Sequence, residues 1–137
     1  MVRKRIKARQ PKQGYSVKAL DVPNYDNSPP VFSLERVQQG NYCFSSLDQT
    51  HKAQFAEAIF RRRGITWREI KSVDRHSLGF EKIARSGIKA PIPAFITEDE
   101  ESFLAFRYNG MSPMVGYRVR DVFYVLWFDH NFTLYKH

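Results

Sequence analysis

FLAFRYNGMSPMVGYRVRDVFYVLWF, residues 103–128, is the strongest β-strand signal in the chain. Val, Phe, Tyr and Trp dominate it, which is the composition of β-strands. Two turn signals divide it, Asn109-Gly110 through Pro113 and then Arg120-Asp121. Links this short join antiparallel neighbours, so we expect a meander of three consecutive strands, at 103–108, 114–119 and 122–128.

Two helices are predicted upstream of this meander, at residues 47–63 and 67–74. In the first, apolar side chains recur at the helical spacing, and Gly64 supplies a C-terminal stop. The second places Trp67, Ile70 and Val73 on one side. Both helices begin with the pattern of a capping box, Ser46 with Gln49 and Thr66 with Glu69.

Shorter elements complete the predicted domain. Alternation over residues 31–37 indicates a first strand, and Phe132–Tyr135 is expected to add a short final strand at an edge. Gly and Pro interrupt residues 75–95, where we expect only a short helix or turn around Phe80–Ala84. The predicted fold class is α+β, with two helices packed on an antiparallel sheet that ends in a three- to four-stranded meander, in the order β-α-α-β-β-β.

Charge divides the 137-residue chain into two unequal parts. The net charge is +8, and residues 1–18 contain seven basic side chains and no acid: Arg3, Lys4, Arg5, Lys7, Arg9, Lys12 and Lys18. The rest of the chain has 15 of the 22 basic residues and all 14 acidic ones, so it is nearly neutral. Prolines and few apolar residues mark the N-terminal part. We therefore expect a basic arm at residues 1–30 and one domain at residues 31–137.

Several classes of protein are disfavoured by the composition. A single cysteine, Cys43, makes no internal disulfide, and no apolar run approaches the ~20 residues that cross a bilayer. The basic N-terminus lacks the apolar stretch of a secretory signal, and it is poor in the serines of a transit peptide. No metal-ligand spacing, glycine-rich phosphate loop or nucleophile elbow is present. We expect a cytoplasmic protein without a metal, a cofactor or a membrane partner.

Chemically versatile side chains concentrate in RHSLGFEKI, residues 75–83. Such a loop can hold an acid, a base and a phosphate-binding cation together, with Glu81 and Lys82 as its candidates. The alternative is a solvated connection between a helix and a strand.

Arg107 and Arg118 lie on neighbouring predicted strands, where each either binds an anion or reaches the surface and pairs with an acid. The tight second turn puts Arg118 opposite Phe123. Further along, His130 follows the last long strand, and Tyr135 and His137 come at the end of the chain. A histidine near a tyrosine can transfer a proton near neutral pH, although a lone histidine in such a position is commonly an inert surface residue.

The order of elements and the C-terminal pattern over residues 77–137 resemble the RelE/YoeB/HigB group of toxin ribonucleases, with SLGFEKI (77–83) standing at the linker into the sheet. This resemblance implies metal-independent cleavage of RNA, including ribosome-bound mRNA, and an antitoxin as protein partner. In that scheme Glu81 or His130 serves as base or acid, and Arg107 and Arg118 hold the phosphate. Tyr135 orients a base, while Lys82 and the basic arm bind RNA. RHSLGFEKI is also similar to segments of uncharacterised mobile-element proteins.

The chain also departs from that group, because it is longer and its body is neutral where those toxins are basic. Two other functions therefore stay open. A basic arm on a neutral aromatic domain is the layout of a nucleic-acid- or ribosome-binding accessory protein. It is equally the layout of a protein-interaction module of a mobile element, whose arm serves only solubility.

Overall fold

A computed structural model of the chain describes residues 23–137, which form one α+β unit of two helices and a five-stranded mixed sheet. The elements are β1 (Val31–Ser33), α1 (Gln49–Arg61), α2 (Trp67–Lys71), β2 (Phe80–Ala84), β3 (Ser102–Asn109), β4 (Ser112–Val119) and β5 (Val122–Phe128). The strands lie in the order β1-β5-β4-β3-β2. β1 runs parallel to β5, and the other neighbours are antiparallel.

The C-terminal meander matches the sequence-based prediction. β3, β4 and β5 are consecutive antiparallel neighbours. The turn at Arg120-Asp121 pairs Val119 with Val122 and Arg118 with Phe123, which is the predicted register. Arg120 adopts a φ of 58° in this turn, and Gly110 a φ of 57° in the preceding one. These left-handed conformations allow a two-residue turn to reverse the direction of the chain after β3 and after β4.

Two predicted elements are wrong. Residues Phe80–Ala84 form a strand rather than a helix or turn, because all five pair with residues 102–106 of β3. Phe132–Tyr135 is not a strand, since the backbone N–H groups of Thr133 and Leu134 donate to the carboxylate of Asp129 instead of to a neighbouring strand. The observed order is therefore β-α-α-β-β-β-β, and the sheet is mixed rather than antiparallel throughout. β1 also ends at Ser33, four residues earlier than predicted.

The helix starts agree with the prediction at one of two positions. The Thr66–Glu69 capping box is present at α2. At α1 the cap is Asp48, whose carboxylate accepts from the N–H of His51, while the hydroxyl of the predicted cap Ser46 donates to the Gly40 carbonyl. A carboxylate at this position also complements the positive end of the helix dipole.

Both faces of the sheet are covered. The helices pack on one face, against a core that includes Phe106, Tyr108, Met114, Phe123 and Phe128. The opposite face is covered by the β2–β3 connection and by the residues after β5, around Phe103, Ala105, Val115, Trp127 and Tyr135. The tail after β5 covers one end of this second core, so the tail's side chains Leu134 and Tyr135 pack against the strands.

The folded unit begins earlier than predicted. The carbonyl of Ser28 accepts from the N–H of Trp67, and Asp26 pairs with Lys71 and Arg118. Residues 24–30 therefore belong to the domain and not to the arm. The cationic part of the predicted arm lies outside the described residues.

Gly116 should not tolerate a side chain. A Cβ at this position would lie 1.9 Å from the carbonyl oxygen of Tyr124, where β4 and β5 shift register. We expect Gly116→Ala to lower the free energy of unfolding by roughly 3 kcal/mol, since backbone must move to relieve the overlap. Urea denaturation measures this. Gly64→Ala is the control, because its Cβ would meet nothing within 4 Å. Equal stability of the two variants would contradict the described β4–β5 register.

Candidate functional site

Three residues singled out from the sequence lie at one corner of the sheet, on the face away from the helices. Glu81 of β2 pairs with Ala105 of β3, and Arg107 follows two residues further along β3 on the same face. Tyr135 belongs to the core of this face together with Ala105. The structure therefore brings Glu81, Arg107 and Tyr135 together, although 54 positions separate the first from the last in the chain.

The charges at this corner converge on Tyr135. Burial raises the pKa of its hydroxyl, and the negative charges of Glu81 and Asp129 raise it further. The positive charges of Arg107 and Arg75 act in the opposite direction. The phenol therefore keeps its proton near neutral pH and can donate a hydrogen bond to an anion.

The loop that precedes β2 contributes two more groups. Arg75 forms an ion pair with Glu81 at 3.4 Å, and Arg107 donates a hydrogen bond to Nδ1 of His76. Gly79 permits this loop to fold tightly, since a Cβ there would lie 2.0 Å from the carbonyl oxygen of Val73. The segment therefore places Arg75, His76 and Glu81 in contact with one another or with Arg107 of β3.

The tail after β5 is organised by a buried carboxylate. Asp129 is fully buried and accepts hydrogen bonds from the N–H groups of Thr133 and Leu134 and from Nε2 of His137, the last at 2.8 Å. The imidazole of His137 stacks on Tyr135, with 4.1 Å between the ring centroids. Sequence reasoning missed the pairing of Asp129 with His137. The available signal was an acid placed directly after the most apolar strand.

Arg62 is a further residue that the sequence did not single out. Its side chain is fully buried, and it donates to the carbonyls of Leu78 at 3.0 Å, Ala58 at 3.0 Å and Arg107 at 3.5 Å. Burial lowers its pKa to about 10, so the guanidinium stays charged at neutral pH. It joins the end of α1 to the loop before β2 and to β3, and both of those segments carry residues of the corner.

Arg118 lies away from this corner. It donates to Asp26 at 2.7 Å and to the carbonyl of Arg120, and its guanidinium lies 4.3 Å from the Trp67 ring centroid. Arg118 pairs with Phe123 on the helix side of the sheet, five positions along β4 from the partner of Arg107, a distance of roughly 16 Å. The predicted sharing of one phosphate by Arg107 and Arg118 does not fit this geometry. Arg118 is instead the ion-paired arginine that the sequence left as an alternative.

Replacing Arg118 with alanine should therefore affect stability and its pH dependence. Hydrogen bonds from Lys71 and then Arg118 lower the pKa of Asp26 from 3.8 to about 2. A carboxyl group with a lowered pKa stabilises the fold above its unfolded pKa, and that contribution is lost as pH falls from about 4 to about 2. We expect a melting temperature lower by a few degrees at pH 7 and a smaller decline between pH 5 and pH 2, measured by circular dichroism. An unchanged acid profile would show that this ion pair does not form.

His130 also lies outside the corner. Its Nε2 is 2.9 Å from the Asn41 carbonyl, and its ring is 6.0 Å from that of His51. Nδ1 of His51 is in turn 2.8 Å from the hydroxyl of Tyr108, on the α1 side of the sheet end. Lys82 is exposed on β2 and lines a shallow cleft with Glu81 and Tyr135. The structure therefore keeps Lys82 beside the corner and separates His130 from it.

Within residues 23–137, no group of three or more His, Cys, Asp or Glu side chains is arranged to hold a metal ion. No helix in that range has the length and apolar character needed to cross a membrane.

Comparisons of the chain with protein-family models, curated proteins and solved structures found no significant match.

Proposed function

We propose that this protein is a RelE-like endoribonuclease that cleaves RNA without a metal ion. The observation that carries the proposal is the convergence of Glu81, Arg107 and Tyr135 at one corner of the sheet, beside His76 and the Asp129–His137 pair. A carboxylate, a guanidinium and an imidazole are the groups that this cleavage needs, as base, charge stabiliser and acid.

In the proposed reaction Glu81 accepts the proton of a ribose 2′-hydroxyl. The 2′-oxygen attacks the adjacent phosphorus, and the bond from phosphorus to the 5′-oxygen of the next nucleotide breaks. That oxygen takes a proton from His137, leaving a 2′,3′-cyclic phosphate and a 5′-hydroxyl. Arg107 donates to the non-bridging oxygens, whose negative charge grows in the transition state. This step changes no oxidation state, so it needs no external oxidant or reductant.

The two imidazoles receive different roles because their partners differ. His76 accepts a hydrogen bond from Arg107, so it orients the guanidinium. His137 donates through Nε2 to the buried carboxylate of Asp129, and Tyr135 holds its ring face. A carboxylate behind an imidazole fixes its orientation and stabilises its protonated form during proton transfer. We therefore assign the acid role to His137.

RNA is the proposed substrate because the reaction consumes a 2′-hydroxyl, which DNA lacks. Further basic side chains surround the corner and suit a polyanion, namely Arg75, Lys82, Lys89 and Lys136. Ribosome-bound mRNA as substrate, an antitoxin as partner and a cytoplasmic location complete the proposal through the RelE resemblance.

The proposal is tested by expressing the protein in cells and mapping mRNA 5′ ends. Wild type should create new 5′-hydroxyl ends, whereas Glu81→Gln and His137→Ala should create few or none. Glu57→Gln is the matched control, since Glu57 is exposed on α1. Ends that are absent with wild type, or equal in all variants expressed at the same level, would overturn the enzyme proposal.

A second candidate function is RNA binding without cleavage, and the concentration of positive charge in residues 1–18 favours it. Deleting residues 1–14 removes six basic side chains and no acid. If the arm contacts phosphates, affinity for single-stranded RNA should fall, and the slope of log K against log salt should flatten by up to about 4. Fluorescence anisotropy at several salt concentrations measures both. Unchanged binding and slope would exclude the arm as the contact, and if cleavage is also absent, a protein-interaction module becomes the better account.

A further inference from the structure

A second cleft adjoins the proposed active site on the other side of Arg107. Its volume is about 340 Å³, and it lies between α1, the loop before β2 and the β3–β4 turn. Gln54 and Arg61, two helical turns apart on one face of α1, form one wall. His76, Ser77 and Arg107 form the other. The second cleft lies next to the corner, because Arg107, which lines it, follows the strand partner of Glu81 by two residues on β3.

The chemistry of this second cleft is that of an anion site. Its charged lining residues, Arg61, His76 and Arg107, are all basic or able to become positive, and no carboxylate lines it. Within residues 23–137, Arg61 forms no ion pair, and the side chains of Gln54 and Ser77 donate no hydrogen bond to another protein group. Exposed donors of this kind around a cavity, which pair with no protein group, favour a negatively charged ligand with several acceptor oxygens.

We infer that this cleft binds a second backbone phosphate of the same RNA strand, next to the phosphate that is cleaved. The inference rests on the proposed function, and it identifies the substrate class as single-stranded RNA of at least three nucleotides. Arg107 lies between the two phosphate positions, so the strand passes from Glu81 across Arg107 to Arg61. Arg61 contributes to the affinity for RNA and not to the rate of the chemical step, because it contacts a phosphate whose charge does not change during the reaction.

The length of the RNA tests this inference. The full chain is titrated with a dinucleotide carrying one phosphodiester and with a hexanucleotide, both 2′-O-methylated to prevent cleavage, and kcat/KM is measured on the unmodified pair. Arg61→Ala should weaken hexanucleotide binding about tenfold, the scale of one charge-assisted hydrogen bond, and leave dinucleotide binding unchanged. For hexanucleotide binding by this variant, the slope of log K against log salt should flatten by about 0.7. The kcat of each substrate should stay near wild type.

Arg63→Ala is the matched control. Arg63 carries the same charge two positions away, but its guanidinium lies 3.9 Å from the Phe60 ring centroid and donates to the Phe60 carbonyl. We expect hexanucleotide affinity within about twofold of wild type, the range of surface substitutions. Equal losses in the Arg61 and Arg63 variants, or an equal loss on the dinucleotide, would overturn the inference.

The outcomes separate this inference from the proposed function. If wild type cleaves neither substrate but Arg61→Ala selectively weakens hexanucleotide binding, the cleft binds an RNA phosphate and only the enzyme proposal fails. If wild type cleaves both substrates and Arg61→Ala behaves as wild type, the second phosphate site fails alone. Arg61-dependent binding of adenosine 5′-monophosphate that is as tight as hexanucleotide binding would identify a free nucleotide as the ligand and would also overturn the inference.

Discussion

Replacing Arg107 with alanine should lower the single-turnover rate of RNA cleavage by a factor on the order of a hundred or more, the usual cost of removing one group that stabilises transition-state charge. Arg107 projects from β3 beside Glu81, and its guanidinium contacts His76. It also lines the cleft beside α1 that holds Arg61. The loss should appear mainly in kcat, because the charge on the phosphate oxygens increases as the 2′-oxygen attacks.

Two control variants test the position of the arginine and the shape of its side chain separately. Arg118→Ala should keep the cleavage rate of wild type under conditions where it is folded, because Arg118 pairs with Asp26 at the far end of β4. Arg107→Lys should restore little activity, since one ammonium does not reproduce a planar guanidinium that contacts a phosphate and His76 together. Rapid-quench measurements at saturating enzyme give the rates. A larger loss in Arg118→Ala than in Arg107→Ala would contradict the position of the site.

Replacing Arg62 with alanine should have the largest effect on stability among the charged residues described. The substitution leaves the carbonyls of Leu78, Ala58 and Arg107 without their donor and opens a cavity beside Phe106. Together these changes should lower the free energy of unfolding by roughly 3–5 kcal/mol. Urea denaturation followed by tryptophan fluorescence measures it, since Trp67 and Trp127 are both buried.

Arg63→Ala is the control for this experiment, because it removes the same charge from an exposed neighbour. It should change the free energy of unfolding by less than about 0.5 kcal/mol. Arg62→Lys separates charge from geometry: it keeps the cation but cannot reach three carbonyls at once, so most of the loss should remain. If Arg62→Ala is as stable as Arg63→Ala, the buried guanidinium does not hold α1 to β3.

The meander was predictable because its signals are local. Runs of β-branched and aromatic residues define the strands, and Arg120-Asp121 is short enough to set the β4–β5 register. β2 gave no such signal, since it has five residues and its Glu81 and Lys82 interrupt the apolar pattern. Its pairing with β3 depends on contacts between residues that are far apart in the sequence. The burial of Arg62 could not be predicted, because residues 61–63 are all arginine and only the tertiary packing determines which of them is buried.

The site was predictable in part for related reasons. Glu81 and Arg107 share one face of the sheet because strand pairing places them diagonally on neighbouring strands. The register between β3 and β4 depends on an irregularity between Arg107 and Asn109, which turn propensity does not reveal. That register puts Arg118 on the opposite face. The contact of His137 with Asp129 depends on how the tail folds back, and no periodic pattern specifies an irregular segment.

The chemical identity of the ends left on a cleaved RNA oligonucleotide shows whether the protein cleaves RNA by metal-independent attack of the 2′-hydroxyl. Purified protein is incubated with single-stranded RNA in the presence of EDTA, and the products are identified by mass spectrometry. We expect 2′,3′-cyclic phosphate and 5′-hydroxyl ends with wild type, and their loss with Arg107→Ala. Absence of cleavage, 3′-hydroxyl and 5′-phosphate ends, or equal product from wild type and Arg107→Ala would contradict it.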